Sequence, residues 1–300
     1  MGTNINTAPP SQRPEIIRRR HFRVVRCAAT CWLAIFSALK SAAGLHAIAV
    51  AIFALAIGLM VSAPRASAAA ENCRDITEKG LSFTACSFPA AGSDIRLFLE
   101  DKDGETWGSF SRLASALAKR GKTLVFAMNA GMYHRDYRPV GLYIESGDRK
   151  KKINLRRGPG NFHLLPNGVF FVGQRGAGVL DTRRFLRYRG KISYATQSGP
   201  MLVIRGRIHP KFRRNSESLK VRNGVGSCAG GIVIFAISNQ PVTFHAFASL
   251  FRDRLKCANA LFLDGSLSSM YAPSINRSDG WRPIGPIVGV IEKRQHARRR

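Results

Sequence analysis

Carboxylates are scarce in this chain. Its 300 residues carry 18 Asp and Glu against 47 Lys and Arg, a formal net charge of +29. A balance this basic favours polyanionic partners through counterion release. With so few acids, an Asp or Glu that closes an apolar strand is not there for solubility. Metal motifs are missing too. There are six cysteines and none falls in a Cys-x-x-Cys spacing, no His-Glu-x-x-His occurs, and His134, His163 and His245 show no ligand spacing. No catalytic metal and no cofactor are expected. Ser198 sits in Gln-Ser-Gly-Pro and lacks the Gly-x-Ser-x-Gly elbow of a serine hydrolase. No internal repeat and no Pro/Gly/Ser-rich linker follows Glu71, so residues 71–300 read as one domain, long enough to bury a sizeable core.

The first 70 residues read differently. A basic cluster at Arg18-Arg19-Arg20-His21-Phe22-Arg23 precedes apolar stretches at 24–39 and 47–63. The small-residue exits Ala66-Ser67-Ala68 and Ala68-Ala69-Ala70 follow. Basic flank, apolar core and small exit make a secretory signal. Residues 47–63 would be the membrane anchor if the leader stayed attached, and an overlong gene start is a further alternative. The Arg-Arg pair resembles a twin-arginine signal only loosely, because the apolar core does not follow it directly. Export to the periplasm or beyond is expected, where phosphate-bearing glycans and lipid head groups, not nucleic acid, are the available polyanions. Cys27 and Cys31 lie in the leader. Cys73, Cys86, Cys228 and Cys257 remain, and of the three connectivities they allow, Cys73–Cys86 with Cys228–Cys257 is expected; four buried thiols are the alternative.

Strand signals dominate the exported part: 81–88, 95–99, 123–128, 140–145, 161–165, 169–172, 192–196, 201–204, 231–237, 260–263 and 287–291. Helical spacing marks 110–120 and 245–257, the latter with Phe247, Leu250, Phe251 and Leu255 on one stripe. The expected fold is α+β, a single domain with a mixed β-sheet core and a few packed helices.

Four Gly-marked corners fall at strand ends. They are Asn129-Ala130-Gly131, Gln197-Ser198-Gly199, Arg222-Asn223-Gly224 and Asp264-Gly265-Ser266. Each alone is ordinary turn chemistry. Together they offer amides, hydroxyls and backbone N–H groups beside a planar cation suited to a phosphate fork and one carboxylate. That set suits a neutral sugar bearing an anion.

These corners, in this order, resemble the phosphodiester glycosidase family, in its short bacterial, exported branch. Further segments carry the likeness: Pro139-Val-Gly-Leu-Tyr-Ile-Glu145, Gly160-Asn-Phe162 with Pro166-Asn-Gly-Val-Phe170, Gln197-Ser-Gly-Pro-Met-Leu-Val203, Ile208-His-Pro210 and Leu263-Asp-Gly-Ser266. Ala130 departs from the usual Gly, and the Asp264 turn is less glycine-rich. The resemblance implies hydrolysis of a sugar-1-phosphodiester at the glycosidic carbon–oxygen bond. On the residues, Arg222 and the backbone near Gly224 and Gly226 would hold phosphate. Asp264 would stabilise the oxocarbenium-like centre or activate water, and Glu145 is the second carboxylate that a two-carboxylate mechanism needs. Asn129, Gly131, Gln197, Ser198, Gly199, Asn223, Gly265 and Ser266 would line the substrate. His209 is expected to be structural, a general acid being the alternative. The competing reading is a non-catalytic protein that holds an exopolysaccharide or other polyanion on the same fold.

Overall fold

The computed structural model describes residues 72–264, 267–280 and 282–294. These lie in one unit, Ala68–Arg300. The leader, with the expected signal and the 47–63 segment, lies outside the described residues. Three antiparallel sheets build the unit. The largest runs β1 (Asn72–Glu78), β2 (Leu81–Pro89), β13 (Ile232–Ser238), β12 (Asn223–Cys228), β14 (Cys257–Asp264), β10 (Met201–Ile204) and β11 (Arg207–Ile208). A second orders β16 (Arg277–Ser278), β15 (Met270–Ala272), β4 (Lys122–Asn129), β17 (Ile287–Lys293) and β3 (Asp94–Phe98). The third orders β6 (Asp148–Lys151), β5 (Tyr143–Glu145), β9 (Ile192–Ser198), β7 (Gly168–Gly173) and β8 (Gly176–Asp181).

The seven-stranded sheet is apolar on both faces, because its central strands alternate between two cores. Phe83 and Ala85 of β2, Ile234 and Ala236 of β13, and Ala260 and Phe262 of β14 pack into one core. Cys86, Phe88, Val233, Phe235, Leu261 and Leu263 pack into the other. The first core is covered by α3 (Phe244–Ser249) and the wider helical turn Leu250–Arg254 that continues it. Phe247, Leu250, Phe251 and Leu255 are all buried there, as the helical stripe requires. The second core is where the sheets meet. Phe126 of β4 lies 5.2 Å from Phe88 and 5.0 Å from Phe235, and Phe170 of β7 lies 5.5 Å from Phe235. On the second sheet sits α1 (Phe110–Ala118), capped by Ser109, whose hydroxyl accepts from the Arg112 amide, and seated through Phe110, Leu113 and Leu117. A short α2 (Thr182–Phe185) follows β8.

Both expected cysteine pairs are bonded, each across a ladder. Cys73 faces Cys86 between β1 and β2, and Cys228 faces Cys257 between β12 and β14. Disulfides of this kind belong to oxidising compartments. Among the described residues no helix is long and apolar enough to cross a membrane.

Three expectations need correction. The sheets are not mixed: every strand pair among the described residues is antiparallel, joined without parallel crossovers. The segment read as a strand at 161–165 is a single tight turn at Asn161–His163, entered through Gly160 at φ 84°. The corner at Asn223-Gly224 is instead the start of β12, a central strand.

Candidate active site

Two sheets supply this site. β4 ends on Asn129, while β12 begins at Asn223 beside Asp264, the last residue of β14. The register of β12 against β14 shifts between Asn223 and Gly224, the kind of irregularity that re-aims side chains at a strand end.

Asn223 ties the three ends together. Its Oδ1 accepts the Asp264 amide at 2.8 Å. Its Nδ2 donates to Asn129 Oδ1 at 2.7 Å and to the Asn129 carbonyl at 3.0 Å. Asn129 Nδ2 in turn donates to Asp264 Oδ2 at 3.2 Å, and its Oδ1 also accepts the Ser269 amide at 3.0 Å. The Ser268 hydroxyl donates to the Asp264 carbonyl at 2.6 Å. All three linking residues are buried, Asp264 at 7% exposure. The carboxylate accepts from the neutral Asn129 amide, while Asn223 and Ser268 hold the Asp264 backbone on either side of it.

Arg222 enters from the other side of Asn223. It is 1% exposed, among the largest fully buried side chains. Its Nε donates to the Val242 carbonyl at 2.9 Å and its Nη2 to the Ser218 carbonyl at 2.8 Å. The guanidinium lies 3.7 Å from the Phe244 ring centroid and 5.6 Å from that of Phe262. Aromatic faces and carbonyls replace part of the lost hydration. Burial lowers the guanidinium to about 10, which leaves it a cation at neutral pH. It forms no ion pair with any described residue. Two of its five N–H donors are used, so three remain for a ligand.

Arg222 and Asp264 line one cleft of about 560 Å³. Arg135 and Lys220 line it as well, so three permanent cations face a single carboxylate among its described lining residues. Met132, Phe162 and Leu267 give it apolar wall. Tyr133 completes the wall, with its hydroxyl buried. Its phenol is pushed up to about 12, by burial first and by the Asp264 carboxylate second. Among the described residues no group of three or more His, Cys, Asp or Glu is placed to hold a metal.

The family model for phosphodiester glycosidase matches residues 122–291, which span every residue of this constellation. The chain belongs to the phosphodiester glycosidase family. A relative, the uncharacterized protein YigE of Escherichia coli (strain K12), is 35% identical over 208 residues, 69% of this chain and 81% of that protein. Among solved structures, the zebrafish N-acetylglucosamine-1-phosphodiester alpha-N-acetylglucosaminidase catalytic domain, auto-inhibited by its pro-peptide, is 16% identical. It aligns with TM-score 0.49 over 73% of this chain and 81% of that one. A hypothetical protein from Synechocystis aligns with TM-score 0.47 at 13% identity, over 73% of this chain and 61% of that one.

Within this family member, the expected residues separate into two groups. Asn129, Arg222, Asn223 and Asp264 come together as described. Gln197 does not join them. Its Oε1 accepts the amides of Leu142 and Asn154, and its Nε2 donates to the Asn154 carbonyl and the Thr182 hydroxyl, so its capacity is consumed by holding loops. Ser198 donates to the Leu263 carbonyl at 2.7 Å and ties β9 to β14. Gly131, at φ 145°, leaves room for Thr196, whose hydroxyl would sit 2.8 Å from an added Cβ. Gly199 leaves room for Asn167, 2.7 Å from such an atom. Gly224 and Gly226 lie inside β12 rather than at a phosphate-binding corner. A Cβ at Gly224 would meet the Leu261 carbonyl at 2.8 Å, and one at Gly226 would meet Cys257 Sγ at 2.7 Å and Phe251 at 2.8 Å. Gly265 and Ser266 lie outside the described residues.

Glu145 faces elsewhere. It lines a separate cleft of about 320 Å³ with Arg96, Glu100, Trp107 and Tyr194, and its Oε2 accepts the Leu99 amide at 3.2 Å. Burial raises its carboxyl above the ordinary range, against the pull of Lys150. It is not a second carboxylate for the Asp264 cleft. His209 is structural: its Nδ1 accepts the Lys211 amide, Nε2 meets the Leu165 carbonyl, and the ring stacks on Phe212 at 4.7 Å. Sequence reading missed Tyr133, Arg135 and Lys220 as cleft residues. Tyr133 alone left a signal, since it stands two residues after Gly131 of the Asn129 corner.

Proposed function

We propose that the chain is an exported hydrolase that cleaves the glycosidic bond of a sugar-1-phosphodiester, giving free sugar and a phosphomonoester. The observation that carries this reading is the pairing, in one cleft, of a buried guanidinium that has no anionic partner among the described residues with a carboxylate that accepts from Asn129, on a backbone held by Asn223. Arg222 holds the phosphate through its remaining donors, and the rim cations Arg135 and Lys220 draw the anion in. As the anomeric carbon–oxygen bond breaks, its electron pair goes to the phosphate. The second pKa of a phosphomonoester lies near ~6, so this leaving group needs no general acid at neutral pH. Asp264 faces the positive charge that develops at the anomeric carbon. Water adds to that carbon and loses its proton to solvent or to Asp264. A cation arranged to face the leaving anion and a carboxylate arranged to face the forming cation stabilise the transition state more than the ground state.

Incubating the purified protein with methyl esters of sugar 1-phosphates in isotopically labelled water tests the bond broken. The label is expected in the sugar; label in the phosphate would place the cleavage at phosphorus. The excess of cations in the cleft also suits a second reading, a polyanion-binding protein without turnover. Retention of the esters without any hydrolysis would favour it. The leader fits an export signal removed after Ala68 or Ala70, and mass spectrometry of the mature N-terminus from the cell envelope checks that.

A further inference from the structure

We propose that Tyr133 and Asp264 together clamp one hydroxyl group of the sugar, which makes Tyr133 a specificity-determining residue of the site; this rests on the sugar-phosphate reading above. Tyr133 Oη is buried and makes no hydrogen bond to any described group. Buried polar atoms in native proteins nearly always have partners, and each exception calls for a physical reason. Here the ring is held deliberately. It stacks on Tyr137 with centroids 5.9 Å apart, and its backbone is bridged to Pro139. It also packs against Gly285, where an added Cβ would fall 2.6 Å from the ring. Any larger residue at 285 would displace it.

The phenol keeps its proton. Burial first and the Asp264 charge second hold it in the neutral form. What remains unused is the phenol's own O–H. Tyr133 lines the cleft that Asp264 and Arg222 also line, with its hydroxyl just beneath the accessible surface. An ionised carboxylate only accepts, and this phenol has a proton to give. The group that accepts from one and donates to the other is a hydroxyl. A phosphate oxygen would satisfy the phenol and be repelled by Asp264; an ammonium group would do the reverse. With the phosphate on Arg222, the hydroxyl belongs to the sugar attached to it.

Calorimetric titration of the full chain and its Tyr133→Phe variant tests this. The ligands are glucose, galactose, mannose and N-acetylglucosamine 1-phosphates, the ring-deoxy analogues of the best of them, and inorganic phosphate. Wild type is expected to bind one deoxy analogue roughly tenfold to hundredfold more weakly than its parent. Tyr133→Phe should bind the parent as weakly and lose that one distinction, with inorganic phosphate bound as before. Its Tm should be no lower than wild type, because the change removes an unpartnered buried hydroxyl. Unchanged discrimination in the variant would overturn the clamp. So would an equal loss for every ligand including phosphate, which marks a structural role, or normal binding with slow turnover, which would put the phenol on the water. Failure of wild type to bind any sugar 1-phosphate overturns it as well. Discriminating binding without hydrolysis would leave the clamp standing and remove the proposed reaction; hydrolysis with unchanged discrimination would do the opposite.

Discussion

Replacing Asn223 by Ala removes three hydrogen bonds of 2.7 to 3.0 Å from a fully buried position. The Asp264 amide loses the side chain that accepts it, and an orphaned buried donor costs about 1–3 kcal/mol. The two Asn129 oxygens lose a shared donor, which adds about 1 kcal/mol, less than two full bonds because Asn129 Oδ1 keeps the Ser269 amide. The sum is about 3 kcal/mol. Activity should fall by a comparable free energy. Asp264 is aimed by Asn129, which is itself aimed by Asn223, and a displacement of about 1 Å at a reacting group costs roughly a hundredfold in rate. Urea unfolding followed by intrinsic fluorescence, with both disulfides intact, gives the first number, and hydrolysis of a sugar 1-phosphodiester gives the second. Asn223→Asp is the control. It keeps the acceptor for the Asp264 amide but turns the donor into a buried acid facing two acceptors. Only its protonated form can donate to Asn129, so its folded pKa is raised. Its stability is greatest at low pH and is lost as pH rises through that raised value. An Asn223→Ala protein within about 0.5 kcal/mol of wild type, below the range for a lost buried hydrogen bond, and fully active would refute the idea that this amide assembles the site.

Arg222→Lys keeps the charge but cannot serve two carbonyls and a phosphate at once, so kcat/KM should drop by roughly a hundredfold; steady-state kinetics checks it. Glu145→Gln should leave turnover within twofold, because Glu145 lines the other cleft. Its raised carboxyl means that the folded protein holds a proton the unfolded chain has released, so wild-type stability falls as pH rises upward from the ordinary value of 4.5. Thermal melts between about pH 4 and 8 should show that slope reduced in the variant. Replacing Cys228 and Cys257 together by Ser opens a loop spanning 29 positions, which is expected to cost about 3–4 kcal/mol in denaturant titration. Gly224→Ala drives a methyl group to 2.8 Å from the Leu261 carbonyl, and a loss of about 1–3 kcal/mol in the same titration is expected.

The long apolar strands and both helices were legible because burial on two faces leaves continuous hydrophobic runs. β12 was not. Asn223-Gly-Val-Gly-Ser-Cys228 reads as turn chemistry, yet both glycines are there because β14, with Phe247 over one and Phe251 over the other, leaves no room for a Cβ. The same ambiguity misplaced Gln197 and Ser198: an amide and a hydroxyl at a strand end read as substrate contacts, and only coordinates reveal that loop amides and the Leu263 carbonyl already occupy them. Asp264 was legible because a carboxylate that closes an apolar strand needs a reason, and Arg222 because a planar cation beside Asn-Gly suits a phosphate. Tyr133 gave only a faint signal, because its place in the cleft depends on Gly285, more than a hundred residues away, and on Asp264 at the end of β14.

The hydrogen bonds that assemble the site join residues 94 and 135 positions apart. No fragment that stops before β14 carries it, because such a fragment has the cation without the acid. Cys257 arrives on that same late strand and bonds to Cys228 across the pair that bears the site. The acid of the site and one half of this disulfide therefore stand on a single strand, so a chain that has not seated β14 lacks both the complete cleft and the covalent tie.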